Sequence, residues 1–356
     1  MSKSQLKIVT AIDSFKGCLT SQEANQAAAE GIGSIYADAE IVQVPVSDGG
    51  EGFVEAFHSA TGGDIQELTV NDPLMRPVLA HYLLKETTAV IEIAQTSGLT
   101  LLKKEERNPL IATSYGTGEL VADAVRKGAE HIIVGLGGSA TSDCGIGMIR
   151  AIIDSFADGG TWDDIRAFDD VHFTIATDVT NPLCGENGAA HVFAPQKGAT
   201  PEMVLELDTR AKRFAEFSAR HFGFDCQNTP GAGAAGGLGY AFLQYTHAAC
   251  RSGVDLLLEA VGFDEQLKDA FLVITGEGSA DRQTLMGKLP FGILQRAKLQ
   301  NVPVALIAGR IADRQVLLDA GFSQVVCINP PGLPIEEAIK PETAKVNIHQ
   351  TILHVV

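Results

Sequence analysis

The sequence predicts an α/β protein with two lobes. A Rossmann-like lobe is assembled from both ends of the chain, and a second α/β domain is inserted into it. Three observations carry this reading. Short apolar, β-branched runs alternate with helix-like stretches near both termini, several of these runs end in loops rich in glycine and acidic residues, and the middle of the chain has a different texture. At 356 residues the chain also exceeds one typical domain. The expected division is residues 1–66 with 266–356 for the discontinuous lobe and 67–265 for the insertion.

Leu6 to Ile12 reads as a short buried strand, and Thr20-Ser21-Gln22-Glu23 is a cap-like opening for an Ala-rich helix to about Gly31. Glu40 to Val46 is a second strand, ending at Ser47-Asp48-Gly49-Gly50-Glu51-Gly52, and a helix from Phe53 to Ala60 follows. From about Asp64, strands Leu68–Val70, Val78–Leu84 and Ala89–Ile93 are joined by turns such as Asn71-Asp72-Pro73. The middle continues with a helix after Thr117, the segment IIVGLGGSATSDCGIGM (132–148), a strand Phe173–Ala176 and a long helix from about Pro201 to His221. A Gly/Ala run at 230–239 has apolar flanks and no Ser, Lys or Glu, which argues for tight packing rather than a linker. The α/β rhythm then returns with strand Ala270–Thr275, a loop from Gly276 to Gln283, a helix from about Pro290, and strands Val302–Ala308 and Gln324–Ile328.

Composition excludes several classes of function. A formal net charge of −17 argues against a general nucleic-acid or acidic-membrane binder. The six cysteines show no C-x-x-C spacing, so a structural zinc site or a disulfide framework is not expected. No stretch approaches the roughly 20 apolar residues that span a bilayer, and the first residues lack the apolar run of a secretory signal. A soluble cytoplasmic protein is the expectation.

The 132–148 segment reads as a strand, an anion-sized loop and a helix start. Backbone N–H groups at a helix N-terminus are unpaired and the helix dipole favours negative charge there, so phosphate is the natural guest. Gly135, Gly137 and Gly138 open the main chain to a ligand, Ser139 and Thr141 offer hydroxyls, and Asp143 suits a metal or a substrate hydroxyl. Loops of the same composition recur at Asp13-Ser14-Phe15-Lys16-Gly17, at 47–52 and at 275–281, with Lys288 beyond.

Phosphoryl transfer needs cations or amides around phosphates, a carboxylate for Mg²⁺ and a group to orient the attacking hydroxyl. Candidates for these parts are Lys16, Lys197 and Lys288, each beside glycine, and the carboxylates Asp48, Asp143, Asp178 and Asp281. Ordinary turn chemistry explains any single loop of this kind, an exposed charge explains any single lysine, and Asp178 and Asn181 before Pro182 equally fit a chain reversal. Repetition of such loops after strands favours the functional reading. There is no G-x-x-x-x-G-K-[ST] motif, no dinucleotide fingerprint and no Ser–His–Asp constellation.

Laid in order, these segments resemble the bacterial glycerate kinase family, a type unlike protein kinases and P-loop enzymes. The resemblance runs through DSFKG (13–17), DGGEG (48–52), RNPLIATSYGTGEL (107–120), GLGGSATSD (135–143), DVTNPLCG (178–185), FAPQKGATPEMV (193–204), PGAGAAGGLG (230–239) and TGEGSADRQT with GK (275–288). It implies the two-lobed glycerate kinase I fold and ATP-dependent, Mg²⁺-requiring phosphorylation of D-glycerate to 2-phosphoglycerate. On this resemblance, Lys16, Asp48, Asp143 and Asp178 are the catalytic candidates, with Asp48 and Asp178 also holding the metal. Gly137, Gly138, Ser139, Gly276, Glu277, Gly278 and Lys288 are expected at the nucleotide, and Asp13, Ser14, Asn181, Lys197 and Asp281 at the substrate.

The chain departs from the family pattern where Ser142-Asp143-Cys144-Gly145 replaces Asn-Asp-Gly-Gly, where Ser279 replaces Arg, and in a shortened stretch between Met148 and Phe173. The other readings weighed are a kinase of another small hydroxy acid and a non-catalytic glycerate or anion sensor on the same fold. The oligomeric state stays open between monomer and homodimer.

Overall fold

The computed structural model describes residues 6–15, 17–47 and 52–356. Among the described residues eleven strands form two sheets, and the chain divides into two compact units. The first comprises Met1–Asp48, Glu55–Thr61 and Val254–Val356, and the second Gly49–Val54 and Gly62–Gly253.

The first unit holds β1 (Lys7–Ile12), β2 (Glu40–Gln43), β9 (Leu272–Ala280), β10 (Val304–Ile311) and β11 (Gln324–Cys327), the ninth to eleventh strands of the chain. Their order is β11-β10-β9-β1-β2, and every pair is parallel. Parallel strands of this kind are covered on both faces, which is why their sequences read as continuous apolar runs. Ile8, Ile12 and Ile274 pack with Ala24, Ala28 and Ile32 of helix Ser21–Ile35 and with Ile348 and Ile352 of helix Pro341–Val355. The alternate residues Val9, Ala11 and Val273 are buried as well.

Local chemistry starts helix Ser21–Ile35 where the sequence predicts it. Thr20 Oγ1 accepts from Glu23 N at 3.2 Å while Glu23 Oε2 accepts from Thr20 N at 3.0 Å, a reciprocal capping box. The terminal helix Pro341–Val355, by contrast, is absent from the sequence reading, because it is recognised only by what it packs on. A Cβ on Gly31 would meet Ile352 Cβ at 2.9 Å and His349 O at 3.0 Å, so the two helices touch backbone to side chain there.

The stretch 276–280, expected as a loop, continues β9. Arg310 is the register partner of Ser279 and Ile311 that of Ala280. β1 accompanies this stretch only as far as Gly276, and beyond it the pairing with β10 alone overrides the turn preference of a Gly-Glu-Gly sequence.

The second unit is a six-stranded mixed sheet in the order β3-β4-β5-β6-β7-β8. The strands are β3 (Asp64–Asn71), β4 (Pro77–Lys85), β5 (Thr88–Glu92), β6 (His131–Gly135), β7 (His172–Ala176) and β8 (Ala249–Arg251). The first three form an antiparallel meander, and β5 to β8 are parallel. The turn at Asp72 is built by its own carboxylate, which accepts from Leu74 N at 2.8 Å and Arg76 N at 2.9 Å and pairs with Arg76 Nε at 2.6 Å. The core of this unit gathers Ile91, Val134, Ile175, Leu120, Met148 and Phe242, among others. No helix among the described residues is long and apolar enough to cross a membrane.

Replacing Gly31 by Val forces its side chain into Ile352 and the backbone of residue 349. The expected result is destabilisation of about 1–3 kcal/mol, the usual cost of overpacking, read as a lower urea midpoint with an unchanged slope. An unchanged midpoint would show that the two helices are not in this register.

Candidate functional site

In the second unit the loop between β6 and helix Ile146–Phe156 is pinned on both sides before it meets any ligand. Leu136 N donates to Ala176 O at 3.1 Å, Leu99 N donates to Gly138 O at 2.8 Å, and Ala140 N donates to Ser97 O at 2.7 Å. From below, the Lys197 ammonium donates to Ser139 Oγ and to Thr141 O, each at 2.7 Å. Lys197 is 2% exposed, and burial pushes its ammonium down to about 7 while the nearby charge of Asp143 works the other way. No ion pair of Lys197 with a carboxylate occurs among the described residues.

The helix N-terminus beside this loop is not open to an anion, contrary to the expectation from its sequence. Asp143 Oδ1 accepts from Gly145 N at 3.1 Å, and its Oδ2 accepts from Gly147 N at 3.1 Å. The same Oδ2 accepts from Ser114 N at 2.8 Å and Ser114 Oγ at 2.9 Å, while Ser114 Oγ accepts from Met148 N at 3.0 Å. A side-chain carboxylate therefore supplies the negative charge that the helix dipole favours. Asp143 is a capping and positioning group in this geometry. Earlier in the loop the hydroxyls of Thr141 and Ser142 are buried without a hydrogen-bond partner among the described residues, as is Nε of Arg107, which lies outside the loop.

The Gly/Ala run 230–239 forms the back of this loop. Ala235, Gly236 and Gly237 are all left-handed, with φ of 53°, 67° and 90°, and Gly236 O accepts from Cys144 N at 3.1 Å. A Cβ on Gly236 would meet Thr141 O at 2.0 Å, so only glycine permits this approach. Asp178 is half-buried just beyond the end of β7, the strand whose Ala176 carbonyl holds Leu136. Asn181 Nδ2 donates to Asn187 O at 2.8 Å, and its carbonyl accepts from Gly233 N at 2.9 Å, which makes it a clasp between two loops.

In the first unit, candidate residues gather at the carboxyl ends of β1 and β9. Asp13 N donates to Gly276 O at 2.9 Å, and Asp13 Oδ1 accepts from Ser14 N at 2.7 Å. Glu277 is buried, accepting from Thr284 Oγ1 at 2.5 Å and pairing with Lys288 Nζ at 3.3 Å. Burial raises its carboxyl above the usual range, and the hydrogen bond from Thr284 and the Lys288 charge oppose that. Asp281 instead caps the short turn Arg282–Leu285, accepting from Gln283 N at 2.7 Å. A cavity of about 450 Å³ opens here, with Asp13, Ser14, Glu277, Gly278 and Lys288 on its wall.

Comparison with known proteins gives this arrangement a family. The model of the glycerate kinase family matches residues 8–356. The chain belongs to the glycerate kinase family. A glycerate kinase from Bacillus subtilis (strain 168) is 42% identical, the match covering 94% of this chain and 93% of that protein. A glycerate 2-kinase from Escherichia coli (strain K12) is 41% identical, covering 91% of each. A glycerate kinase 2 crystal structure from Salmonella typhimurium LT2 superposes with a TM-score of 0.83 at 39% identity, covering 99% of this chain and 97% of that one. Membership places the chain among enzymes of the kinase class.

Within this glycerate kinase family member, the structure brings Gly137, Gly138, Ser139, Lys197 and Asp143 into one neighbourhood of the second unit. It brings Asp13, Ser14, Gly276, Glu277, Gly278 and Lys288 together in the first. Lys16 and Asp48 lie outside the described residues. Among the described residues, no group of three or more His, Cys, Asp or Glu gathers to hold a metal ion. Sequence reasoning missed Ser114, Arg107 and Arg310. Ser114 stood in a quoted motif, but its partner Asp143 is 29 residues away and nothing in spacing announces the pair.

Lys197 gives a pH prediction. A base held below its unfolded value carries fewer protons in the folded chain between the two, so stability rises with pH from about 7 toward the ordinary lysine value of 10.5. Urea unfolding measured across that window is expected to show a steeper rise for the wild type than for Lys197→Met. Parallel curves would mean that the ammonium is not held as the structure places it.

Proposed function

We propose that this chain transfers the γ-phosphoryl group of ATP to D-glycerate, forming 2-phosphoglycerate in the cytoplasm, and that residues 1–66 with 266–356 and residues 67–265 act as its two domains. The observation that carries the reading is the buried Lys197 ammonium behind the Gly137–Ser142 loop. Two of its three donors are used by Ser139 and Thr141 O, and the neighbouring Thr141 and Ser142 hydroxyls have no partner among the described residues. A cation and hydroxyls withheld from water next to glycine backbone suit the carboxylate or phosphate oxygens of an anionic ligand.

Phosphoryl transfer requires little covalent work from the protein beyond positioning and charge stabilisation. In this reading Ser139 and Lys197 hold an anionic group, Asn181 keeps its loop closed over the end of β7, and Asp178 orients the attacking hydroxyl. Lys16 neutralises phosphate or the substrate carboxylate. Gly276, Glu277, Gly278 and Lys288 serve the nucleotide, and Asp13, Ser14 and Asp281 the substrate. Asp143 acts by fixing the loop.

Mg²⁺ at such sites is held mainly by phosphate oxygens and water with one or two carboxylates. Asp178, half-buried at a strand end, supplies one such carboxylate, and Asp48 is the second candidate. When bound, the ion neutralises charge on the transferring group.

Asp178→Asn is expected to lower kcat about 10²- to 10⁴-fold, the usual loss when a positioned carboxylate is removed, with the unfolding curve unchanged. ADP release with D-glycerate as acceptor measures it, and near-normal turnover would remove Asp178 from the reaction. Phosphorus NMR of the product distinguishes the 2- from the 3-phosphate. A panel of small hydroxy acids run beside D-glycerate tests the acceptor, and poor glycerate turnover against rapid turnover of another acid would overturn that part.

A further inference from the structure

The strand order of the first unit contains a switch point. From β1 the chain steps outward to β2 on one side, whereas β9, β10 and β11 step outward on the other. The connections after β1 and β9 therefore leave the sheet in opposite directions, and a crevice opens beyond the carboxyl ends of these two strands. In open parallel sheets this is where ligands bind. The cavity of about 450 Å³ lies at that place, lined by Asp13, Ser14 and Phe15 after β1 and by Glu277, Gly278 and Ser279 at the end of β9.

Two features of the wall define the ligand. One side is apolar: Phe15 and Ile328 are buried beneath it, while Ile335 and Ile339 are 65% and 49% exposed and line the same space. The other side is cationic. Lys288 is paired with Glu277, but the Arg310 guanidinium has no ion pair among the described residues, and it projects from the register partner of Ser279. The carboxylates of the wall are engaged elsewhere, Asp13 with Ser14 N and Glu277 with Thr284 and Lys288.

A three-carbon hydroxy acid has no flat apolar face to set against such a wall and is small for the volume. A purine nucleoside with a phosphate tail meets both requirements. We infer that this crevice is the nucleoside triphosphate site, with the base against Phe15, Ile328, Ile335 and Ile339 and with Arg310 on the phosphates. The inference rests on the reading of the chain as an ATP-dependent kinase and adds where the nucleotide is held and by which residues. Ile335, Ile339 and Arg310 become specificity and binding residues that the glycine motifs did not reveal.

Photolabelling with 8-azido-ATP followed by peptide mapping tests the location. Label is expected in the segments 13–19 or 328–339. Ile339→Glu and Ile335→Glu place a charge at exposed positions without disturbing the core. Each is expected to weaken binding of a fluorescent ATP analogue, and to raise the KM for ATP, by about tenfold or more, the size of effect that loss of an apolar contact surface produces. Arg310→Ala is expected to do the same for ATP while weakening adenosine binding little, and in all three variants the KM for D-glycerate changes less than about twofold. Label confined to segment 107–150, with the three variants binding nucleotide like the wild type, overturns the site while the kinase reading stands. Failure of the wild-type chain to turn over or take up ATP at all removes both.

Discussion

The carboxylate of Asp143 accepts hydrogen bonds from Ser114 N and Oγ, Gly145 N and Gly147 N, and the shape of the second unit's loop depends on this convergence. Through Ser114 Oγ, which accepts from Met148 N, the same network joins the start of helix Tyr115–Arg126 to the start of helix Ile146–Phe156. Once those amides are taken, the loop has only its earlier residues to offer a ligand. The polar groups that this network does not use lie instead at Ser139, Thr141, Ser142 and the Lys197 ammonium behind them.

A buried ammonium whose partners among the described residues are a hydroxyl and a carbonyl is electrostatically expensive, and burial moves Lys197 toward neutrality for that reason. An anion arriving at the loop would relieve the imbalance. In the function proposed above, this is the kind of preorganisation that transfer of a highly charged group requires. The left-handed stretch at Ala235–Gly237 supports the same end, since it lets one backbone lie directly against another and excludes side chains that would fill the space.

The first unit meets charge differently. Its candidate residues come from the ends of parallel strands, where the switch between β1 and β9 opens a crevice with an apolar side and a cationic side. Glu277 and Lys288 neutralise one another within it, so among the described residues of its wall the cation without an ion pair is Arg310, supplied by the neighbouring strand. Two units of the same fold class thus offer unlike surfaces: a compact polar loop in one and a larger, partly apolar cavity in the other.

Much of this was legible in the amino-acid order alone. The α/β class, most strands, the capping box at Thr20 and the glycine loops follow from local periodicity and turn chemistry, and these depend on neighbours within a few residues. The short β8 strand, the terminal helix Pro341–Val355, the continuation of β9 through Ala280 and the pairings Ser114–Asp143 and Lys197–Ser139 were not legible. Each of these is decided by partners 29 or more residues away or by packing against another element, and an isolated segment carries no record of them. By itself the sequence determined the fold class and the family. The tertiary structure decided which residues of the glycine loops are already spent on the protein's own backbone and which remain for a ligand, because a polar group's availability depends on what folding brings within hydrogen-bond reach of it.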